Sequence, residues 1–264
     1  MEHGDHDVVS HDVNLEGIVT RLNRVRARTR ARLANSELTR AFLDTALALA
    51  DEAFRSRSVF VSEDVSPALG YLSRARIVAR TLGDYPGLVP TEAKFRDRWA
   101  GQQDFLADFV SYALSVRQIR FERALAECSR ELRDSGEDFS RALHRFAYEA
   151  TTVMLDVPAH RLQLFAIAAA SADPSASASI ARLYASLSDI WFRECVGLAE
   201  WFGVELRAGL SLEEFSIIVQ SAMEGMGLRM IAGLDEPLVD HERKTSLIGT
   251  LMLALVVAPP DAER

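Results

Sequence analysis

The sequence predicts an all-α protein, and three observations lead to that fold class. Glycine and proline are few, with 14 and eight in 264 residues. Aromatic residues make up only 8% of the chain, too few for a turn-rich sandwich of many strands. Apolar residues recur at three- and four-residue steps through most of the sequence, as they do in amphipathic helices. The length suits one large or two small domains that bury a core.

Residues 1–35 are predicted to be a flexible acidic tail followed by an arginine-rich arm. The first 20 residues lack the basic start and the apolar run of a signal peptide. The run Arg21–Arg32 contains six arginines and no acidic residue. Such a run suits an arm that lies along a DNA groove, and it equally suits a solvated helix face or a frayed terminus.

Residues 36–114 are predicted to form a domain of four helices joined by loops. The first three are Ser36–Phe54 with Ser36 as the N-cap, Tyr71–Leu82 ended by Gly83, and a short helix from Thr91 to about Trp99. A fourth helix begins at Gln102. The segment Arg55–Leu69 breaks the helical period and is predicted to be a loop.

Residues 115–264 are predicted to form a larger helical domain. One helix is lined by Phe121, Leu125, Cys128 and Leu132, and the clearest loop is Asp173–Ser179, followed by a long helix over Ile180–Phe202. Ser211 and Glu214 have the spacing of a capping box before a further helix. Ser246–Val257 is apolar nearly all round, so more than one neighbour must cover it, as an oligomer interface would.

The charge of the chain is unevenly distributed. Thr20–Trp99 contains 15 basic and nine acidic residues, whereas Ser115–Arg264 contains 15 basic and 22 acidic residues. Clustered arginine suits phosphate contacts, while the acidic remainder needs only to be soluble. The sequence therefore predicts a front part that binds a polyanion and an acidic back part.

Two segments in the basic part resemble a known DNA-reading motif. Val78–Gly83 reads Val-Ala-Arg-Thr-Leu-Gly, and Pro90–Phe105 begins Pro-Thr-Glu-Ala-Lys-Phe-Arg. Together they resemble the helix-turn-helix of the TetR-type (TetR/AcrR-like) transcriptional regulators of bacteria, in a divergent form. The turn between the two helices is longer here by about six residues, Asp84–Val89. In a helix-turn-helix the second helix enters the major groove of DNA.

The resemblance implies a role for individual residues of the second segment. Thr91 takes the place of the capping serine, Lys94 that of a threonine that points toward the groove, and Phe95 that of the apolar anchor. Arg96 replaces a phosphate-contacting tyrosine and Gln102 a phosphate-binding lysine, while Trp99 is the core aromatic residue. With the basic residues nearby, the expected DNA-binding set is Arg28, Arg30, Arg32, Arg74, Thr91, Lys94, Arg96, Arg98 and Gln102. For Lys94, Arg96 and Arg98 a solvated charged helix face is the alternative.

The resemblance also implies an effector site and a dimer interface in residues 115–264. Helical bundles bind ligands between their apolar faces. The candidate ligand-binding residues are Phe121, Phe146, Phe165 and Trp191, although residues of this kind more often form a plain core. Met223–Gly227 resembles part of the penultimate helix of these regulators, which forms the dimer with the last helix. The candidate interface residues are Phe215, Ala222, Leu247 and Leu251.

The expected function is that of a ligand-responsive transcriptional repressor that binds a palindromic operator as a homodimer. Its expected partners are double-stranded DNA and a small-molecule effector of unspecified identity. The alternative is a helical ligand-binding or scaffold protein of the same fold that has lost specific DNA recognition.

Catalysis, a metal site and a cofactor are not expected. The sequence has no Gly-x-Ser-x-Gly elbow, Walker-type loop or His-Glu-x-x-His pair, and His144, His160 and His241 are scattered singly. The two cysteines, Cys128 and Cys195, cannot form a disulfide framework, which is typical of a reducing compartment, and they form no Cys-x-x-Cys pair of the kind that binds metal or has a redox role. The longest apolar stretch has 12 residues, whereas a bilayer needs about 20, so a cytoplasmic location without membrane association is expected.

Overall fold

The computed structural model describes residues 13–23, 27–55, 71–154, 157–170, 174–234 and 238–257. These residues are predominantly helical, which confirms the all-α class. Within the described ranges the helices are α1 (Ala27–Ala34), α2 (Glu37–Arg55), α3 (Arg74–Asp84), α4 (Glu92–Arg96), α5 (Gln102–Ser135), α6 (Phe139–Met154), α7 (Val157–Ala170), α8 (Pro174–Phe202), α9 (Leu212–Ile231) and α10 (Leu247–Leu255). Four two-residue strands accompany them: β1 (Glu205–Leu206), β2 (Val239–Asp240), β3 (Thr245–Ser246) and β4 (Val256–Val257).

The chain divides into two compact units. The first comprises Met1–Val116 and Arg161–Ala181, and the second comprises Arg117–His160 and Arg182–Arg264. Helices α5, α7 and α8 contribute residues to both units. The division at residues 114 and 115 expected from the sequence falls inside α5, and the functional domains assigned there remain predictions.

An aromatic cluster forms the core of the first unit. The Phe95 ring of α4 lies 5.2 Å from Phe42 of α2 and 5.0 Å from Trp99, and Trp99 lies 5.0 Å from Phe105 of α5, measured between ring centroids. Phe105 in turn stacks on Phe109. All five side chains are buried. Aromatic pairs at these distances add stability beyond the apolar area that they bury.

Side-chain hydrogen bonds cap the first turns of three helices, two in the first unit and one in the second. The Thr91 hydroxyl accepts a hydrogen bond from the Lys94 backbone N–H, which confirms Thr91 as the N-cap of α4. Ser73 caps α3, so that helix begins three residues later than the sequence pattern predicted. The capping box of Ser211 and Glu214 at the start of α9 is confirmed.

Two predictions about helix boundaries were wrong. Residues 102–135 form one helix rather than two, because no glycine or proline interrupts the run from Gln102 to Ser135. The loop predicted over Asp173–Ser179 is helical from Pro174 onward. Proline at the first position of a helix costs no hydrogen bond and has a suitable φ, so Pro174 starts a helix instead of breaking one. The predicted loop Arg55–Leu69 lies outside the described residues beyond Arg55.

The second unit is built around α6, α9 and α10 together with parts of α5 and α8. Its core includes Phe121 and Phe146, whose rings each lie 5.7 Å from the Trp191 ring. Helices α6 and α10 approach closely at Gly249, where an added Cβ would lie 3.1 Å from the Cα of His144. Strand β1 pairs with β4 and β2 with β3, both antiparallel, and the sequence pattern anticipated neither pair.

Candidate functional site

Helix α4 presents cationic side chains while its apolar side is anchored in the core. Phe95 and Trp99 are buried, whereas Lys94 and Arg96 are exposed. The Lys94 ammonium donates a hydrogen bond of 2.7 Å to the carbonyl of Val89 in the turn before the helix. The aromatic anchors therefore fix which side of this five-residue helix faces solvent.

The chain that leads into the arginine-rich helix α1 is bound to the end of α4. The Asn23 backbone N–H donates to the Arg98 carbonyl at 2.7 Å, and the Asn23 side-chain amide donates to the Arg96 carbonyl at 2.6 Å. On α1, three of the predicted DNA-binding residues are exposed: Arg28, Arg30 and Arg32. The first unit therefore carries exposed cations on α4 and on α1, and Asn23, which precedes α1 in the chain, is hydrogen-bonded at the end of α4.

A buried carboxylate anchors the same leading segment to α5. The Asp108 carboxylate accepts hydrogen bonds from the backbone N–H groups of Thr20 (2.8 Å) and Arg21 (3.0 Å) and from the Trp99 indole (2.9 Å). Burial raises the pKa of Asp108 to about 6, although these hydrogen bonds favour its charged form. The sequence pattern did not predict this anchor, because Thr20 and Arg21 lie 88 and 87 positions from Asp108 along the chain.

Arg98 has an internal role, and the phosphate contact predicted for it is not available in this structure. Its side chain is 7% exposed, and its guanidinium donates to the Thr39 hydroxyl (2.8 Å), the Lys94 carbonyl (2.8 Å) and the Ser36 hydroxyl (3.3 Å). It also lies 5.8 Å from the centre of the Phe42 ring. Burial lowers the pKa of Arg98 from its usual value.

Two other predicted contact residues are engaged within the first unit. The Arg74 guanidinium forms an ion pair with Glu92 at 3.0 Å, which joins α3 to α4. The Gln102 side-chain amide donates to the Leu72 carbonyl. Both side chains are half-buried, whereas Thr91 is exposed apart from its capping bond. The exposed part of the predicted set therefore consists of Arg28, Arg30, Arg32, Thr91, Lys94 and Arg96.

Three of the residues proposed to bind an effector lie together in the core of the second unit. Phe121, Phe146 and Trp191 are fully buried, and the Phe121 and Phe146 rings each contact Trp191, which matches the plain-core interpretation. The side chain of Phe165 lies outside the described part of the structure.

His160, the last residue of the segment Arg117–His160, is buried in the second unit. Burial, together with the positive charge of Arg117, lowers the pKa of His160 to about 4.

The second unit instead contains an apolar cavity elsewhere, with a volume of about 400 Å³. Its walls come from α6, α8, β1, α9, α10 and β4, and include Phe139, Leu143, Leu198, Phe215, Met252 and Val256. The Cys195 thiol also lines it, and burial raises the pKa of that thiol to about 12, so it is protonated at neutral pH. The all-round apolar character of residues 247–257 was the available signal, because two of the wall residues belong to that segment.

The proposed interface residues divide between the interior and the surface. Phe215 is buried in the cavity wall, so its expected place at an interface is not available in this structure. Ala222 and Leu251 are half-buried, and Leu247 is 51% exposed. On α9 the side chains of Ile217 and Leu228 are 54% and 53% exposed. These two residues, missed by the sequence argument, add to the exposed apolar surface of the unit.

The described residues contain no cluster of three or more His, Cys, Asp or Glu side chains that would hold a metal ion. None of their helices has both the length and the apolar character needed to cross a bilayer.

Comparison with known proteins adds no identification. The chain has no significant match among protein-family models, curated proteins or solved structures.

Proposed function

We propose that this chain is a DNA-binding transcriptional regulator, most simply a repressor, whose first unit contacts duplex DNA. The observation that supports this most directly is the pair of exposed cations Lys94 and Arg96 on a capped helix whose other side is anchored by Phe95 and Trp99. A rigidly held helix with outward cations suits a phosphate backbone, because phosphate contacts set the register of a protein on DNA.

The arginine-rich helix α1 extends this surface. Asn23, which precedes α1, donates hydrogen bonds to the carbonyls of Arg96 and Arg98. The exposed arginines of α1, Arg28, Arg30 and Arg32, follow it in the chain. Arginine side chains are attracted to phosphates and to a narrow minor groove. In the proposed complex α4 meets the major groove and α1 contacts the adjacent backbone. The resemblance to TetR-type regulators supports the same assignment.

The proposed regulator acts as a homodimer through the second unit. Ile217, Leu228 and Leu247 are large apolar side chains that remain about half exposed in one protomer. A second copy of the chain would cover them, and a two-fold axis would bring two copies of α4 to one operator. An effector that favours one spacing of the two copies shifts the population toward or away from the DNA-bound form.

Selection from a random-sequence duplex DNA library tests this proposal. The full chain is expected to enrich a palindromic sequence with half-site centres one helical turn apart, about 34–36 Å, or a multiple of that distance. The Lys94→Ala/Arg96→Ala variant is expected to enrich no sequence. Failure of the unmodified chain to enrich any duplex at low salt would contradict the proposal.

A second candidate function is that of a helical ligand-binding protein that does not recognise DNA. It is favoured by one observation: Arg98 and Gln102, which the motif would aim at phosphates, make hydrogen bonds inside their own unit. This candidate predicts ligand binding by the second unit together with no sequence enrichment in the selection experiment.

A further inference from the structure

We infer that the cavity of the second unit binds a small amphipathic cation, with its apolar part in the cavity and its charged head group beside Glu200 and Glu205. This inference names the chemical class of the effector and rests on the proposed function, which leaves that class open.

The size and walls of the cavity suit an apolar group. Its volume of about 400 Å³ falls within the range of small-molecule sites, about 300–1,000 Å³. Side chains from separate segments, including Leu143, Phe215 and Met252, form walls that are themselves buried. Transfer of an apolar chain from water into such a site is favourable in proportion to the apolar area that it buries.

The charge of the lining selects the head group. Among the residues that line the cavity, two have ionisable carboxyl groups, Glu200 and Glu205, and none is arginine, lysine or histidine. Both glutamates are exposed, so they lie at the mouth rather than at the bottom. No described side chain forms an ion pair with either of them. An anionic head group would meet two like charges there, whereas a cationic group would find two counter-charges.

The backbone brings Glu200 and Glu205 to the cavity from two sides of one turn of the chain. Glu200 lies in the last turn of α8, and Gly203, with φ of +63°, ends the helix and turns the chain into β1. Glu205 then pairs with Val257 in the β1–β4 ladder, and the Arg207 N–H donates to the Leu255 carbonyl at 3.1 Å. Glycine adopts this left-handed conformation without steric cost, so the turn brings both glutamates to the same cavity.

Isothermal titration calorimetry with two probes of equal chain length and opposite charge tests the inference. The full chain is expected to bind decyltrimethylammonium saturably, and to bind decanoate at least about tenfold more weakly. The Glu200→Gln/Glu205→Gln variant is expected to lose this preference. The control Glu213→Gln/Glu242→Gln removes the same charge from two exposed sites that do not line the cavity, and is expected to retain it.

A substitution that fills the cavity locates the binding. Val204→Trp is expected to abolish binding of decyltrimethylammonium while circular dichroism shows unchanged helix content. Leu143→Phe, in the wall that α6 contributes, gives a second filling variant if the first fails to fold. Equal or tighter binding of decanoate, no saturable binding of the cation, or unchanged binding in a folded filling variant would overturn the inference.

The two proposals fail separately in these experiments. Cation binding in the calorimeter supports the cavity assignment whatever the DNA selection gives. Enrichment of a palindrome without any cation binding would support the DNA-binding function and contradict the cationic effector class. Cation binding without enrichment would contradict the DNA-binding function and support cation binding in the cavity.

Discussion

Arg96 and Arg98 lie two residues apart and have opposite environments. Arg96 is exposed at the end of α4, whereas Arg98 is buried and donates hydrogen bonds to Thr39, Lys94 and Ser36. A side chain that satisfies buried hydroxyl and carbonyl groups contributes to folding, and its removal leaves polar groups without partners. A test of DNA contacts must therefore use Lys94 and Arg96 and leave Arg98 in place.

The difference between these two arginines predicts different costs for the same substitution. Arg98→Met is expected to lower the free energy of unfolding by about 1.5–3 kcal/mol, because the hydrogen bonds of a buried charged group are lost. Arg96→Met is expected to change it by less than about 0.5 kcal/mol. Urea denaturation of the two variants measures both values. Equal effects would show that Arg98 has no special role in folding.

The buried carboxyl of Asp108 predicts a pH dependence of stability. Folding raises its pKa from 3.8 to about 6, so between these pH values the folded chain holds a proton that the unfolded chain has released. The carboxyl therefore contributes stability below about pH 4 that is lost as the pH rises through about 6. Asp108→Asn removes this titration.

The expected result concerns the free energy of unfolding of the wild type minus that of Asp108→Asn. This difference is expected to be more positive at about pH 4 than at about pH 7. Urea denaturation at the two pH values measures it, and Asp104→Asn on the same helix serves as the control. A difference that grows toward neutral pH would contradict the raised pKa.

At the residue scale the sequence predicted local roles better than distant ones. The capping roles of Thr91 and Ser211 followed from residue type and from spacing within one helical turn, and the structure confirms both. The burial of Arg98 depends on Ser36 and Thr39, about 60 positions away, and an isolated arginine gives no sign of such partners. The same reason applies to Thr20 and Arg21, the two backbone partners of Asp108 that lie 88 and 87 positions away.

At the scale of elements, α6 and α10 are in tight contact at Gly249. A Cβ at this position would lie 2.5 Å from the His144 Nδ1 and 3.1 Å from the His144 Cα, and the second of these is backbone that cannot rotate away. Glycine normally weakens a helix, and its presence in the first turn of α10 is explained by the close packing against His144 of α6.

This packing predicts opposite effects for two glycine substitutions. Gly249→Ala is expected to lower the free energy of unfolding by about 1–3 kcal/mol, because the helices must move apart. Gly83→Ala in α3, where nothing lies within 4 Å of the new Cβ, is expected to leave stability unchanged or to raise it by up to about 1 kcal/mol. Thermal or urea denaturation distinguishes them. A stabilised Gly249→Ala variant would show that α6 and α10 are not in tight contact.

The helical periodicity predicted most of the elements but not their ends or their assembly. The apolar spacing placed α2, α3, α8 and α9 close to their observed positions, because it reflects the core-facing side of each helix. The same spacing predicted two helices where α5 is one. The loop predicted over Asp173–Ser179 was also wrong, because Pro174 begins a helix there. The cavity escaped prediction because its walls come from segments between Phe139 and Val256, and one-dimensional periodicity does not say which helix faces meet.

At the scale of the whole molecule, the exposed apolar side chains of the second unit predict self-association. Ile217→Glu/Leu228→Glu is expected to convert a dimer into a monomer, because two charges would be buried at the proposed interface. Sedimentation velocity measures the change. Leu82→Glu, at a leucine in the first unit that is 55% exposed, is expected to leave the dimer intact. A monomeric wild-type chain at micromolar concentration would contradict the proposed dimer.

The salt dependence of duplex DNA binding tests the central claim most directly. Fluorescence anisotropy with the palindrome from the selection experiment gives the slope of log K against log salt. Each lost phosphate contact is expected to reduce that slope by about 0.9, so Lys94→Ala/Arg96→Ala is expected to show a shallower slope and weaker binding. Arg123→Ala/Arg229→Ala, which removes two exposed arginines from the second unit, is expected to match the wild type. Equal slopes and affinities for the two variants would contradict the assignment of DNA binding to α4.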